Sequence, residues 1–482
     1  MLRTLGKPMW SAFTLWHAAR RRSLPTWPGD RLRALQDSRV RAIVAHAWAT
    51  VPFYRRAMEE RGLRPNDLTT AADLARLPLL SGEQLSSDPW AFFSSRYRPS
   101  TTLELPTSGS TGHFKRIFHN PVAVFVASAH CRRFAPVFRA FLDATNGYRE
   151  LSVARSDGTS AAIAEFFHHR ALTRPRLSQY RRIVPISAPF EDVITEMRAW
   201  RPDILNVFGS YAGALFRYIE ERGLDLPLPK VVLFGGDAMT PQERARIERD
   251  HGVVVLSTYQ ACECLFIGFE CEHRQGFHIN VDDVAVRIAG PSGQSLPPGK
   301  RGTVVISNLL NRATVLLNYR LGDAARLDVS PCPCGRTLPR LVSLDGRSDD
   351  LVQLPDGRSV HESIILSSLY SVPGVARVQV VQEQPRSFLL RVIDNRGALH
   401  EQVHREAEHA LRRALAFAGE LSIRTECVRT ITAEPSGKIK SVVSLLRPTT
   451  SDRAGLRYTS RGHAGEVPDA TAQGINRESD DG

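Results

Sequence analysis

Val231-Val232-Leu233-Phe234-Gly235-Gly236-Asp237-Ala238-Met239-Thr240-Pro241 is the stretch whose reading decides the fold class. An apolar run of strand length ends in Gly-Gly, and Thr-Pro then opens a helix, threonine capping and proline fitting the first turn. The helical pattern runs from Pro241 to Asp250, and a second apolar run, Val253-Val254-Val255-Leu256, follows. Strand, helix, strand at this spacing predicts an α/β fold with a mostly parallel sheet. Short apolar runs alternate with amphipathic stretches over the whole of 121–256, so the pattern is not local. Open sheets of this kind bind ligands outside the carboxyl ends of their strands. Gly235, Gly236 and Asp237 are therefore candidate ligand contacts, the glycines letting a flat ring approach the backbone. Taken alone, the turn reads first as a strand-to-helix turn without a ligand.

Other short motifs lie around this unit. Upstream stands Thr107-Ser108-Gly109-Ser110-Thr111-Gly112-His113-Phe114-Lys115, after a short strand at Leu103-Glu104-Leu105. Glycines, hydroxyls and a lysine suit a loop whose N–H groups cradle an anion. It is not a Walker-type loop, because no Gly-Lys-Ser/Thr follows at the required spacing, and alone it is also an ordinary polar turn. Downstream, Ser257-Thr258-Tyr259-Gln260-Ala261-Cys262-Glu263 follows the second apolar run and faces the same sheet edge. A carboxylate there suits Mg²⁺ held against phosphates. Asn318-Tyr319-Arg320-Leu321-Gly322-Asp323 places an acid on a turn, where it suits ribose hydroxyls. Asp345-Gly346-Arg347-Ser348-Asp349-Asp350 and Pro435-Ser436-Gly437-Lys438-Ile439-Lys440 complete the set.

The chain has 482 residues, too many for one core. A change of texture near Gly346 divides it: 1–345 as an N-terminal domain, and 346–447 as a small α+β domain. The latter has strands at Val378–Val381, Phe388–Val392 and Ile423–Val428 and a helix over His400–Ala418. Residues 448–482 lose large apolar side chains and read as a disordered tail. The pattern also predicts helix from Asp30 to Gly62, and a short helix inside Asn66–Leu80.

The formal charge is +13, mostly from arginine, but no basic run is interleaved with aromatics, so nucleic acid is not an expected partner. No run approaches the ~18 apolar residues of a membrane span. Met1–Leu24 carries its Arg20-Arg21-Arg22 after the apolar part, the wrong order for a signal peptide. It reads as a helix packing on the domain, with a weak membrane-surface helix as the other reading. Seven cysteines, an odd number, argue for a reducing compartment and a cytoplasmic protein.

Taken in order from Thr107 to Lys440, the six motifs resemble the acyl-adenylate-forming enzymes. The similarity is strongest to the phenylacetate–coenzyme A ligase-like branch and its relatives near polysaccharide genes. His46-Ala47, Val51-Pro52-Phe53-Tyr54-Arg55 and Leu77-Pro78-Leu79-Leu80 resemble that branch too. The resemblance implies a large ATP- and acyl-binding domain, a mobile C-terminal lid, and two half-reactions. A carboxylic acid and ATP form acyl-AMP; coenzyme A then takes the acyl group. It also implies roles. Thr107, Ser108, Gly109, Ser110, Thr111, Gly112 and Lys115 hold the outer phosphates. Gly235, Gly236 and Asp237 line the adenine, and Tyr259 stacks beside it. Glu263 holds Mg²⁺. Asp323 and Arg347 bind the ribose. Lys438 stabilises the α-phosphate, and Asp349 is the hinge. A homodimer is a family-level expectation. An acyl pocket is expected between Phe134 and Tyr211 and around Gly235 and Tyr259. Phe114, Gln260 and Cys262 depart from the family pattern, as does Leu354-Pro355-Asp356-Gly357-Arg358. Two other functions stay open: acyl transfer to a carrier protein, amine or sugar, and a nucleotide-binding accessory protein without catalysis.

Cys332-Pro333-Cys334-Gly335 is a tight thiol pair, and Cys271 precedes it with His273 and His278 close behind. Three thiolates and one imidazole make a closed structural Zn²⁺ site; free thiols are the other reading. The resemblance favours Cys271, His278, Cys332 and Cys334 as the ligands. Cys264 is a spare candidate, and Cys131 and Cys427 read as buried thiols.

Overall fold

The structure is a computed structural model. It describes residues 6–107, 115–142, 147–155, 158–172, 180–344, 351–370, 372–394, 401–417, 419–428, 431 and 441–446. Ser108–Gly112, Arg347, Asp349, Lys438 and the tail lie outside these residues. No helix among the described residues is long and apolar enough to cross a membrane.

A hairpin pairs β1 (Leu103–Thr107) with β2 (Lys115–His119). The next strands are β3 (Arg149–Ala154), β4 (Tyr180–Pro185), β5 (Ile204–Val207), β6 (Val231–Phe234), β7 (Val254–Ala261), β8 (Leu265–Glu270), β9 (Phe277–Ile279), β10 (Val284–Ala289), β11 (Arg301–Asn308), β12 (Tyr319–Asp328) and β13 (Arg340–Val342). They form one sheet of eleven strands in the order β10-β11-β12-β13-β9-β8-β7-β6-β5-β3-β4. From β7 to β4 every pair is parallel; from β7 to β10 every pair is antiparallel. The fold is thus mixed α/β, and the mostly parallel part is the half read from the Val231 unit. All four residues of β6 are buried, as expected of a parallel strand covered on both faces.

Between β6 and β7 the helix Pro241–His251 forms as its sequence directs. The Thr240 hydroxyl accepts from the Glu243 N–H at 3.1 Å, and Gly252 ends the helix at φ +66°. Two other helix expectations are corrected. Asp30–Gly62 is two helices, Gly29–Thr50 and Pro52–Glu59, because the residue before a proline is driven to extended backbone, as Val51 is. Asn66–Leu80 holds only short 3₁₀ turns, Pro65–Asp67 and Asp73–Arg76. There the Asp73 carboxylate takes the N–H groups of Thr69 and Thr70 at 3.0 and 2.8 Å, a local bond that competes with the helix.

The N-terminal motifs position β12. The fully buried Tyr54 donates to the Val315 carbonyl at 3.1 Å and accepts from the Leu317 N–H at 2.8 Å. Leu80 bridges the start of β12, donating to the Asn318 carbonyl and accepting from the Arg320 N–H.

C-terminally, β14 (Leu351–Gln353) pairs with β15 (Ser359–His361). A four-stranded sheet follows from β16 (Val375–Gln384), β17 (Ser387–Asp394), β18 (Ser422–Cys427) and β19 (Val442–Ser444), ordered β18-β17-β16-β19. Helix Glu401–Leu415 buries Ala407, Ala410, Leu411 and Leu415, one stripe at helical spacing. These join Val352, Ile365, Val380 and Leu390 in an apolar cluster made only of residues from 352 onward. Tyr370 meets the N-terminal part, the Arg217 guanidinium lying 4.0 Å over its ring.

Candidate active site

Strand β7 is where the sheet changes sense. Val254–Ser257 pairs in parallel with β6, and Thr258–Ala261 pairs antiparallel with β8. Such a switch opens a crevice beyond the strand ends. Glu263, just past β7, is buried there. Its Oε1 lies 3.4 Å from Lys115 Nζ and accepts from the Tyr319 hydroxyl at 3.1 Å. Lys115 Nζ also donates to that hydroxyl at 3.0 Å. Three segments far apart in the chain thus meet: the start of β2, the turn after β7 and the start of β12. Both contacts fall on one carboxylate oxygen; Oε2 has no hydrogen bond among the described residues.

Next to it, the Tyr259 hydroxyl donates to Asp323 Oδ2. Burial first, and then the Asp323 charge, push the Tyr259 phenol well above its ordinary value, so it stays a proton donor to the carboxylate. Asp323 follows Gly322, whose φ of +101° makes the bend that only glycine adopts freely. At the end of β6, Gly236 has φ +85°, and a Cβ there would lie 2.8 Å from the Phe208 ring. A Cβ on Gly235 would lie 3.0 Å from Thr258 Oγ1. The Asp237 carboxylate caps a helix, accepting from the Gly209 N–H and the Ser210 hydroxyl, each at 2.5 Å. That helix is Gly209–Glu221.

Sequence reasoning passed over Tyr319 and His119. Tyr319 lies inside a quoted motif but was given no role. His119 ends β2, and its Nε2 sits 2.7 Å from the Cys262 carbonyl, holding the turn that carries Glu263. Burial pushes His119 down to about 4. Above pH ~6.5 the ring is neutral in both folded and unfolded chains. As pH falls from there toward 4, the unfolded chain takes the proton first and stability drops. The contribution of His119 to that loss is about 3 kcal/mol at full extent. Denaturant melts between pH 7 and 4 should show it, and His119→Asn should flatten the slope while lowering stability at pH 7.

A buried ionic cluster was also unread. Arg133 forks both oxygens of Asp282 at 2.7 Å and reaches Asn280 Oδ1 at 3.0 Å. His130 Nδ1 lies 2.7 Å from Asp283 Oδ1. Burial opposes the Asp282 charge, but the Arg133 guanidinium outweighs it and holds the carboxyl below its usual range. The only trace in sequence is two adjacent acids opening the apolar β10.

Cys271, His278, Cys332 and Cys334 converge, their ligand atoms all within 4.8 Å of one another. Cys271 and Cys332 Sγ lie 3.7 Å apart, and Cys334 Sγ lies 3.4 Å from His278 Nε2. The other His278 nitrogen, Nδ1, lies 3.3 Å from the Leu338 carbonyl. Donation there leaves Nε2 as the lone-pair nitrogen facing the sulfurs, the tautomer a metal requires. His273 and Cys264 are not in this group. Cys131 and Cys427 are both half-buried rather than buried, and the shielding of its sulfur pushes the Cys131 thiol up to about 12.

The fold is that of the acyl-adenylate-forming ligases. A 2-hydroxyisobutyryl-CoA ligase, solved in the postadenylation state with 2-HIB-AMP, superposes at TM-score 0.68 and 21% identity, over 88% of this chain and 91% of that one. By sequence, the chain is a relative of phenylacetate–coenzyme A ligases. It is 29% identical to that of Thermus thermophilus over 361 residues, 73% of this chain and 78% of the relative. It is 26% identical to that of Escherichia coli over 335 residues, 67% and 72%. No family model matches the chain.

Proposed function

We propose that the chain is an AMP-forming acid–thiol ligase. In the first half-reaction an oxygen of a carboxylic acid attacks the α-phosphorus of ATP, and the bond to pyrophosphate breaks. In the second, the coenzyme A sulfur attacks the acyl carbon and AMP leaves. The observation that carries this reading is the meeting of Lys115, Tyr319 and Glu263 at the switch of the sheet, beside the Tyr259–Asp323 pair. The relatives support the same chemistry.

The roles follow from charge. Lys115 and the segment Thr107–Gly112 face the outer phosphates, where phosphoryl transfer needs neutralisation more than a protein nucleophile. Glu263 is the residue that would hold Mg²⁺, which when bound neutralises phosphate charge. Asp323 and Arg347 take the ribose, and Tyr259 fixes the Asp323 carboxylate. Gly235 and Gly236 line the base by their backbone, their Cβ positions being filled by Thr258 and Phe208, and Asp237 shapes that wall by capping the neighbouring helix. Lys438 stabilises the α-phosphate and the incoming carboxylate. Residues 1–345 and 346–447 act as two domains hinged at Asp349, a reading supported by the separate sheet and apolar cluster of the second. Cys271, His278, Cys332 and Cys334 would hold Zn²⁺ in a closed structural site, supported by their donor set and convergence. A cytoplasmic homodimer rests on the family likeness and the cysteine usage.

Pyrophosphate release from ATP and Mg²⁺ is the test, over aryl, fatty and hydroxy acids, with and without coenzyme A. Release that depends on one acid and turns over only with coenzyme A is expected, and Lys438→Ala should abolish it without lowering the melting temperature. Release indifferent to coenzyme A would assign another acceptor. ATP binding with no release for any acid would leave the accessory-protein reading.

A further inference from the structure

The helix Lys7–Arg20 is apolar on two opposite sides. Its inner side is committed to the body of the protein. Trp10 is buried and stacks on Phe125, ring centroids 4.4 Å apart and planes 14° apart. The buried Ser11 accepts from the Leu172 N–H at 2.9 Å, and Lys7 Nζ donates to the His168 carbonyl at 3.2 Å. The outer side carries Met9, Ala12, Trp16 and Ala19, a stripe at helical spacing with Leu15 beside it, all exposed. Met9, Leu15 and Trp16 are 50%, 49% and 51% exposed, and the adjoining Leu172 is 66% exposed. These are four of the ten large exposed apolar side chains among the described residues, so they form a patch rather than the single scattered residues of an ordinary surface.

The charge along this N-terminal segment has one sign. Ahead of Asp30 the chain holds Arg3, Lys7, Arg20, Arg21 and Arg22 and no acidic residue. The Arg20 guanidinium sits 4.9 Å over the Trp16 ring, at the basic end of the helix. At 14 residues the helix is about 21 Å long, too short to span a bilayer and long enough to lie along one. A second copy of the chain is a poor occupant. A twofold contact would set the same basic segment against itself, with no acid of that segment to pair.

We propose that this outer face lies on an anionic phospholipid surface. Met9, Leu15, Trp16 and Leu172 enter the interface, and Arg20 and Arg22 meet lipid phosphates. Tryptophan at the headgroup level and arginine with its stem along apolar surface are what such an interface selects. The proposal does not depend on the catalytic reading.

The full chain is sedimented with phosphatidylcholine vesicles, with and without phosphatidylglycerol. Wild type is expected to pellet with the anionic vesicles and to stay in solution with the neutral ones. The charge-neutral double variant Leu15→Ser/Trp16→Ser should bind anionic vesicles about tenfold or more weakly. Arg20→Glu/Arg22→Glu should remove the dependence on phosphatidylglycerol. Both change exposed positions, and unchanged melting temperatures confirm that both variants fold. Unchanged binding of the Leu15/Trp16 variant would overturn the proposal, because attraction would then be the diffuse charge of a basic chain. Failure of wild type to bind would also overturn it. So would a dimer in light scattering that the same variant dissolves, which would make the occupant a second copy.

Discussion

Glu263→Gln is expected to lower acid-dependent pyrophosphate release by about a thousandfold, with a melting temperature close to that of wild type. The substitution keeps the shape of the side chain, and the amide oxygen still accepts from Tyr319 and Lys115. Only the negative charge goes. If that charge holds Mg²⁺ against the phosphates, its loss removes stabilisation that grows as phosphate charge is redistributed, on the order of 4 kcal/mol. The Mg²⁺ concentration for half-maximal rate should rise with it. The contrary outcome is specific. If Glu263 only balances Lys115, the variant keeps its Mg²⁺ dependence and most of its rate.

Cys332→Ser carries the second large effect, this time on stability. Cys271 follows β8, His278 lies in β9, and Cys332 and Cys334 lie between β12 and β13. A metal held by the four joins neighbouring strands in the antiparallel half of the sheet, near the strand that bears Asp323. Wild type is expected to contain one zinc per chain. Loss of a structural zinc costs several kcal/mol, on the order of 5, which lowers the melting temperature of a domain of this size by about 7 °C. Cys332→Ser should contain no zinc and melt low. A chelator should bring wild type down to the same point and leave the variant unmoved. Three free thiols and a free imidazole would instead give no metal, no chelator effect and a small change for a serine in place of a buried cysteine.

What could be read from the sequence was what local pattern controls. The Val231 and Val253 runs with the Thr240-Pro241 start between them are local in origin, because strand burial, capping and proline geometry act within a few residues. The two misread helices failed for the same kind of reason seen from the other side. Pro52 and Asp73 exert short-range effects that outweigh apolar periodicity over the same span. Glycines 235 and 236 were legible as a backbone need, and the backbone angle and close neighbours of Gly236 supply that need.

The site itself needed the chain to fold. Lys115, Glu263 and Tyr319 lie on three separate segments, and nothing in their local sequence says that the tyrosine hydroxyl would stand between the lysine and the carboxylate. The Arg133–Asp282 and His130–Asp283 pairs join residues 149 and 153 positions apart in the chain. Asp237 lies on the turn after β6, yet its carboxylate is taken by the start of the earlier helix Gly209–Glu221. By itself the sequence determined the α/β class, the order of the motifs and the residue types available at each strand end. Tertiary structure alone decided which of those side chains meet, because hydrogen-bond and ion-pair partners are set by sheet order and register, and these follow from packing across the whole chain.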